Sequence, residues 1–99
     1  MTITIQADDI VRALEAHNEY VRQSRPKGRE LGDHCVTYQA LKRSGIPVKK
    51  VGPSYTFCDY GTHHHAITHT AELKKIITFP PHKWSETLNM CFEWPSTPL

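Results

Sequence analysis

Two β-rich segments on either side of Gly61 and Thr62 constrain the fold of this chain more than any other feature. Tyr55–Tyr60 and residues 63–70 are rich in residues that favour strands, and the glycine between them permits a tight turn. These segments predict an antiparallel β-hairpin. The preceding segment Val48–Val51, which ends at a glycine and a proline, is either a bent continuation of the first strand or a separate short strand.

Side-chain alternation along the second hairpin strand places several histidines on one face. His63, His65 and His69 share a side with Ile67, while His64 lies on the opposite side. Side chains two residues apart on a strand are separated by about 7 Å, and strand twist can bring them onto one ion. We expect a polar histidine row on a solvated face, able to titrate near neutral pH and to meet an anion or a partner.

A metal site is the alternative for this cluster, with Cys58, His63, His65 and His69 as its ligands. Structural zinc normally takes four such ligands. However, the spacing H-H-H-x-x-x-H matches no zinc signature such as C-x-x-C or H-E-x-x-H. Whether Cys58 faces the histidines depends on a strand register that remains open. We therefore predict no cofactor, with zinc or another transition metal as the alternative.

Helical periodicity predicts two longer helices. Apolar positions over residues 7–23 recur at helical spacing and form one stripe, and His17 on that stripe is expected to be a hydrogen-bonded structural residue. A second helix is predicted over residues 34–44. Asp33 is its expected N-cap, and Gly45 is expected to end it.

Shorter elements are predicted at the two ends of the chain. Thr2 to Ile5 alternates as a short strand, and Thr70 caps a short helix over residues 71–78. Residues 88–94 alternate apolar and polar side chains, which predicts a closing strand with one apolar face. Trp84 is expected to fix the preceding loop to the core, or alternatively to be a surface aromatic in a contact patch.

Together these elements predict an α+β fold. We expect a small antiparallel sheet, made from the hairpin and the closing strand, packed on one face by the two longer helices plus the one short helix. With 99 residues the chain fits a single compact domain over residues 1–94, followed by a loose tail over residues 95–99. Because so short a chain buries a modest share of its surface, a homodimer is a further expectation.

Composition excludes several classes of protein. The formal net charge of +2 is too small for a dedicated polyanion binder, and no segment approaches the roughly 20 apolar residues of a membrane span. The three cysteines, an odd number, predict a reducing cytoplasm and not a disulfide scaffold. Cys35, near a helix start, is expected to be inert, although that position can activate a thiol.

Local patches supply the candidate binding residues. A basic loop follows the first helix, further lysines precede the hairpin, and aromatic side chains are available for base stacking or partner contact. The predicted binding residues are Arg25, Lys27, Arg29, Lys49, Lys50, Tyr55, Tyr60, His63, His65, His69 and Trp84. No catalytic residue is predicted, because no recognised catalytic arrangement surrounds the histidines.

Several short motifs in a fixed order carry a resemblance. They are Ile3-Thr4-Ile5 before a helix, His34-Cys35 with Gln39-Ala40-Leu41-Lys42-Arg43, Ile76-Ile77-Thr78-Phe79 after the hairpin, and Leu88-Asn89-Met90-Cys91-Phe92-Glu93 at the end. The chain resembles small bacteriophage and prophage proteins that have no assigned activity. The resemblance implies that the chain is a small accessory protein that acts by binding in the cytoplasm of an infected bacterium. It implies no enzymatic activity.

The sequence therefore predicts a non-catalytic accessory protein that acts by binding. Its expected partner is a host protein, defence-related and occluded by the contact, or a phosphate-bearing nucleotide that is sequestered. Binding of nucleic acid is open but not favoured, and no membrane partner is expected. The alternative is a metal-binding protein or a metal-dependent hydrolase built on the histidine cluster, with Asp59 as general base.

Overall fold

The computed structural model describes residues 1–23 and 35–95. In chain order the described strands and helices are β1 (Thr2–Thr4), α1 (Ala7–Arg22), α2 (Val36–Arg43), β2 (Val48–Val51), β3 (Tyr55–Tyr60), β4 (His63–Thr68), α3 (Ala71–Ile77), a 3-10 helix (Pro81–Thr87) and β5 (Cys91–Glu93). The predicted α+β class is confirmed. The predicted basic loop with Arg25, Lys27 and Arg29 lies outside the described residues, as does the chain from residue 96 onward.

The described strands form two antiparallel sheets, one with the order β2-β3-β4 and one made of β1 and β5. The prediction that the closing strand joins the hairpin is therefore wrong. β5 pairs with β1, which places Ile3 directly opposite Phe92, and both side chains are buried. The alternating pattern of β5 shows that one of its faces is buried, but it does not specify the strand with which β5 pairs. Packing of residues distant in the chain selects that strand.

Helix α2 joins the two sheets into one core. It packs against α1 and α3, and it also contacts β2 of the larger sheet and β1 of the smaller one. Its residues Val36, Ala40 and Leu41 are fully buried, since they recur at helical spacing on the side that meets these elements. Phe92 and Trp94 are among the largest fully buried side chains of the same cluster.

The helix boundaries follow local capping rules. Helix α1 matches its prediction closely and begins with a capping box, in which the Gln6 backbone N–H donates to Asp9 Oδ2 at 2.9 Å. Helix α2 begins at Val36, later than predicted, with Cys35 in the N-cap position; Asp33 lies outside the described residues. Gly45 ends the helix as predicted, with a φ of +83° that side chains disfavour.

Trp84 is a core residue. Its side chain is buried, its Nε1 donates to the Phe79 carbonyl at 3.1 Å, and the ring of half-buried His17 meets it edge-on at 5.8 Å. The prediction that Trp84 fixes its loop to the core is confirmed, and the alternative of an exposed contact aromatic is wrong. A 3-10 helix that was not predicted carries the tryptophan inward, because the residues after Pro80 continue in a tight helical turn.

The predicted start of α3 agrees with the structure, whereas the predicted start of β5 does not. The Thr70 hydroxyl accepts a hydrogen bond from the Leu73 N–H, so the predicted cap of α3 is confirmed. Leu88, expected on the apolar face of the closing strand, is 45% exposed. The strand starts only at Cys91, because the backbone turns at Asn89 with a φ of +68°.

An ion pair between buried Asp9 and partly exposed Arg43 fixes β1, α1 and α2 relative to one another. Asp9 is 1% exposed, and the guanidinium of Arg43 contacts its carboxylate at 3.0 to 3.3 Å through Nε and Nη2. The same Nη2 donates to the Thr4 carbonyl at 2.9 Å. One side chain at the end of α2 thus satisfies a carboxylate in the first turn of α1 and a backbone carbonyl of β1.

Within the described part of the chain, no helix combines the length and the apolar character that a membrane crossing requires.

The Arg43→Ala variant should lose about 2–3 kcal/mol of unfolding free energy, because it leaves the buried Asp9 carboxylate uncompensated; partial exposure of Arg43 keeps the loss below that of fully buried pairs. Urea unfolding followed by circular dichroism measures the loss. Arg22→Ala is the matched control, since Arg22 pairs with Glu19 on the exposed surface of α1 and its removal should cost under about 0.5 kcal/mol. Equal losses in the two variants would contradict the assigned role of Asp9.

Candidate functional site

The predicted β-hairpin is confirmed, and its register is set by a two-residue turn. Tyr60 pairs with His63 across Gly61 and Thr62, and the pairing continues without a shift to Tyr55 opposite Thr68. Gly61 has a φ of +64°, the sign that type II′ hairpin turns require at their first central residue. This register decides which residues of β3 and β4 share a face.

The two faces of the hairpin have opposite characters. Thr56, Cys58 and Ile67 lie on the inner face and are buried in the core. Tyr55 and Phe57 lie on the other face and are 41% and 42% exposed. We call this second side the outer face. The apolar exposure there is unusual for a strand position, which makes the outer face a candidate contact surface.

The predicted histidine row is divided between solvent and core. His63 and His65 are exposed at the hairpin tip, as expected. His69, on the same side but beyond the end of β4, is buried, and its Nε2 forms a 2.7 Å hydrogen bond with the Thr56 hydroxyl. Burial lowers the pKa of His69 to about 4. The prediction that His69 contributes to an exposed binding row is therefore wrong.

The register shows on which face of the hairpin Cys58 lies. It lies directly opposite His65 on the inner face, but its thiol is buried, and burial with the neighbouring Asp59 charge raises its pKa to about 11. Among the residues that the structure describes, no three His, Cys, Asp or Glu side chains are arranged to hold a metal ion. The four ligands of the metal alternative are thus not brought together, because His69 is held at the buried end of the strand.

A β-bulge brings two consecutive lysines to one surface hollow. Val48 pairs with Cys58 and Lys50 with Phe57, so Lys49 is the extra residue of the bulge. In a regular strand neighbouring side chains would point to opposite faces, yet both lysines line the same open hollow of about 270 Å³. The hollow is completed by Phe57, Asp59 and His64.

An exposed pair of polar side chains closes the other side of the hollow. Asp59 and His64 are direct partners across β3 and β4, and Asp59 Oδ1 contacts His64 Nδ1. This contact occupies the carboxylate and orients the imidazole, leaving Nε2 as the ring nitrogen that can meet a ligand. The outer hollow, defined by Lys49, Lys50, Phe57, Asp59 and His64, therefore combines cations, an imidazole and an exposed aromatic ring.

Sequence reasoning identified part of this site. Lys49 and Lys50 were predicted as binding residues, and both are exposed; Lys50 also makes a contact within the chain. Tyr55 was predicted as well and is exposed on the same face, but it does not line the hollow. Phe57 and His64 were missed. Alternation from Tyr55 would have placed Phe57 on the outer face, but pairing of His64 with Asp59 depends on the turn and could not be inferred from spacing.

The remaining candidates lie elsewhere. Tyr60 is 42% exposed at the hairpin tip, where its ring meets that of His65 edge-on at 5.5 Å. It falls on the opposite side of the strand from Phe57 and does not line the outer hollow. Cys35 is buried, and desolvation raises its pKa, which agrees with the expectation of an inert thiol.

Burial of His69 predicts acid sensitivity. The folded pKa of about 4 lies below the ordinary value of 6.5, so the unfolded chain binds the extra proton and stability falls as pH drops through this window. Between pH 7 and pH 5 the unfolding free energy should fall by about 2 kcal/mol through this group, measured by urea unfolding. His69→Gln should reduce that difference, whereas the exposed control His82→Gln should keep it. An unchanged pH dependence in His69→Gln would contradict this assignment.

Comparisons with protein-family models, with curated proteins and with solved structures found no match for this chain. The resemblance to phage proteins therefore stays a prediction. Function has to be argued from the geometry of the outer hollow.

Proposed function

We propose that this chain is a non-catalytic binding protein that sequesters a phosphate-bearing nucleotide at the outer hollow. One observation carries the proposal. The bulge at Lys49 lets two adjacent lysine side chains line the same hollow as an exposed phenylalanine, where regular alternation would have separated them. Cationic side chains beside an accessible aromatic ring match the two parts of a nucleotide, its phosphate and its base.

The lysines supply the phosphate contacts. Ammonium groups act as point charges toward phosphate oxygens, and the side chains of Lys49 and Lys50, both of which line the hollow, can direct two of them at a ligand there. Of the described residues, Asp59 is the only one with a carboxylate that lines the hollow, and it is engaged by His64. The local charge is therefore more favourable to an anion than the net charge of the chain suggests.

Phe57 supplies the base contact. It is 42% exposed on a strand whose inner-face neighbours are buried, so the backbone that carries the ring is fixed and only side-chain freedom is lost when a ligand arrives. Stacking of one base on an aromatic side chain is worth about 1–3 kcal/mol. Tyr55, two residues along the same face, offers a second aromatic surface.

The size of the hollow limits how the ligand binds. Its volume of about 270 Å³ falls just below the roughly 300–1,000 Å³ of pockets that enclose drug-sized ligands. The hollow therefore receives one group of the ligand while the rest lies on the surface. We expect modest affinity, with a phosphate contribution that weakens as salt is added.

The phage resemblance gives this proposal a cellular setting. A small accessory protein in the cytoplasm of an infected bacterium would act by lowering the free concentration of a nucleotide signal. No chemical step on the ligand is needed for that effect, and the proposal assigns none.

Occlusion of a host protein is the second candidate. Tyr55 and Phe57 expose aromatic surface beside two lysines, a composition that also suits contact with an acidic protein patch. A protein partner would use the same face but would not require free nucleotide to bind. Direct titration with nucleotides separates the two candidates.

Charge reversal tests the phosphate contact. In titrations of the full chain with guanosine and adenosine triphosphates, followed by calorimetry, Lys49→Glu with Lys50→Glu should weaken binding at least tenfold, because two attractive charges become repulsive. Lys74→Glu with Lys75→Glu is the matched control, since both lysines are exposed on α3 and the charge change is identical. The control should change affinity less than about threefold.

Removal of the aromatic ring tests the base contact separately. Phe57→Ala should weaken nucleotide binding by roughly 5- to 150-fold, the equivalent of about 1–3 kcal/mol, while leaving inorganic triphosphate binding unchanged. Absence of nucleotide binding by the unaltered chain at millimolar concentration would overturn the proposed function. Equal losses in the two lysine pairs would overturn the assignment of the outer hollow.

A further inference from the structure

Two histidines at the hairpin tip lie outside the proposed nucleotide site. His63 and His65 are exposed, lie on the side of β4 opposite His64, and have ring centroids 6.3 Å apart at an angle of 48°. Neither lines the outer hollow. They are two imidazoles on one strand face, separated by a single residue, a spacing suited to chelation by one ion.

The distance between the rings is close to that of a shared metal ion. Two imidazoles bound to one tetrahedral zinc ion, with Zn–N bonds of about 2.0–2.1 Å, place their ring centroids roughly 5 Å apart. Because both side chains are exposed, small rotations can close the difference. However, a structural zinc ion takes four protein ligands, and the described residues of one copy of the chain supply only two at this position.

The edge of the larger sheet offers a way to complete the site. β4 is a terminal strand in the order β2-β3-β4. In β3, Tyr55 and Asp59 direct their backbone hydrogen bonds away from β4, to Gly52 and Pro47. The alternate residues Cys58 and Tyr60 therefore bond to β4, to their partners His65 and His63.

The same alternation determines which groups of β4 face outward. Since His63 and His65 bond inward to β3, the backbone N–H and C=O of His64 and Ala66 are directed to the open edge. In the described parts of the chain, no strand pairs with that edge. An unpaired strand edge is a template for a second strand, and identical edges pair most simply about a two-fold axis.

We propose that two copies of this chain pair antiparallel along β4, with the two-fold axis at His64, around one ion of the zinc class. In this register His63 of one copy lies opposite His65 of the other, and all four imidazoles share one face. Directly opposed residues have Cβ atoms about 4.5–5.5 Å apart, which suits a common ion. A two-fold axis at Ala66 would instead oppose His65 to Ile67 and divide the ligands.

The ion and the strand pairing depend on each other. The proposed register pairs only the few residues around His64, and so short a ladder is marginal in water without further support. The ion supplies that support by linking the copies, and the ladder supplies the two missing ligands. Dimerisation is therefore metal-dependent.

Sedimentation velocity of the full chain, purified without an affinity tag, tests the proposal. With EDTA the chain should be monomeric at about 50 μM. With zinc chloride it should become a dimer that calorimetry shows to hold one ion per two chains. EDTA should restore the monomer.

Three variants examine the ligands and the edge separately. His63→Ala and His65→Ala should each weaken zinc-dependent dimerisation at least tenfold, while His82→Ala, which removes an exposed histidine from the 3-10 helix, should leave it unchanged. Ala66→Pro removes an outward N–H without removing a bond to β3, so it should weaken the dimer while circular dichroism of the monomer is preserved.

Several results would overturn the proposal. One is a monomer that binds one zinc ion per chain, and another is a dimer whose stability does not depend on metal. A third is an equal effect of His63→Ala and His82→Ala. None of these results bears on nucleotide binding, because the outer hollow contains neither His63 nor His65.

Discussion

The register of β3 against β4 is the constraint on which both proposed contact surfaces, the outer hollow and the His63–His65 edge, depend. A two-residue turn with a positive φ at Gly61 pairs Tyr60 with His63, and every later pair follows from that one. A slip of one residue in β3 would turn Thr56 and Cys58 out to solvent and bury Phe57 and Asp59. Burial of the inner face and tight geometry at the turn therefore reinforce each other, and together they fix the composition of the outer face.

The rest of the fold provides a rigid support for this hairpin. Helix α2 contacts both sheets, and its last residue, Arg43, satisfies the buried carboxylate of Asp9 and a carbonyl of β1. The pairing of β1 with β5 joins the two ends of the described chain and buries Ile3 against Phe92. A site on a sheet supported in this way would lose little backbone entropy on binding a ligand, which matters for a hollow as small as this one.

Opposite faces of one short strand carry the two proposed contacts. His64 belongs to the outer hollow with the lysines and Phe57, whereas His63 and His65 belong to the edge and the inner side of the tip. Strand alternation keeps the two sets of imidazoles apart, so a nucleotide and a metal ion would not compete for the same side chains. The histidine run that looks like one cluster in the sequence is therefore two separate surfaces in the fold.

Local chemistry in the sequence determined α1, the Thr70 cap of α3, the glycine stop of α2 and the existence of the hairpin. Such features depend on residues close together in the chain, so periodicity, capping and turn preferences suffice to predict them. Only the tertiary structure decided that β5 pairs with β1, that a bulge brings Lys49 beside Lys50, and that His69 and Trp84 are buried. Those outcomes depend on which residues, distant in the chain, pack best against the same apolar face. The spacing of residues within a short segment does not contain that information.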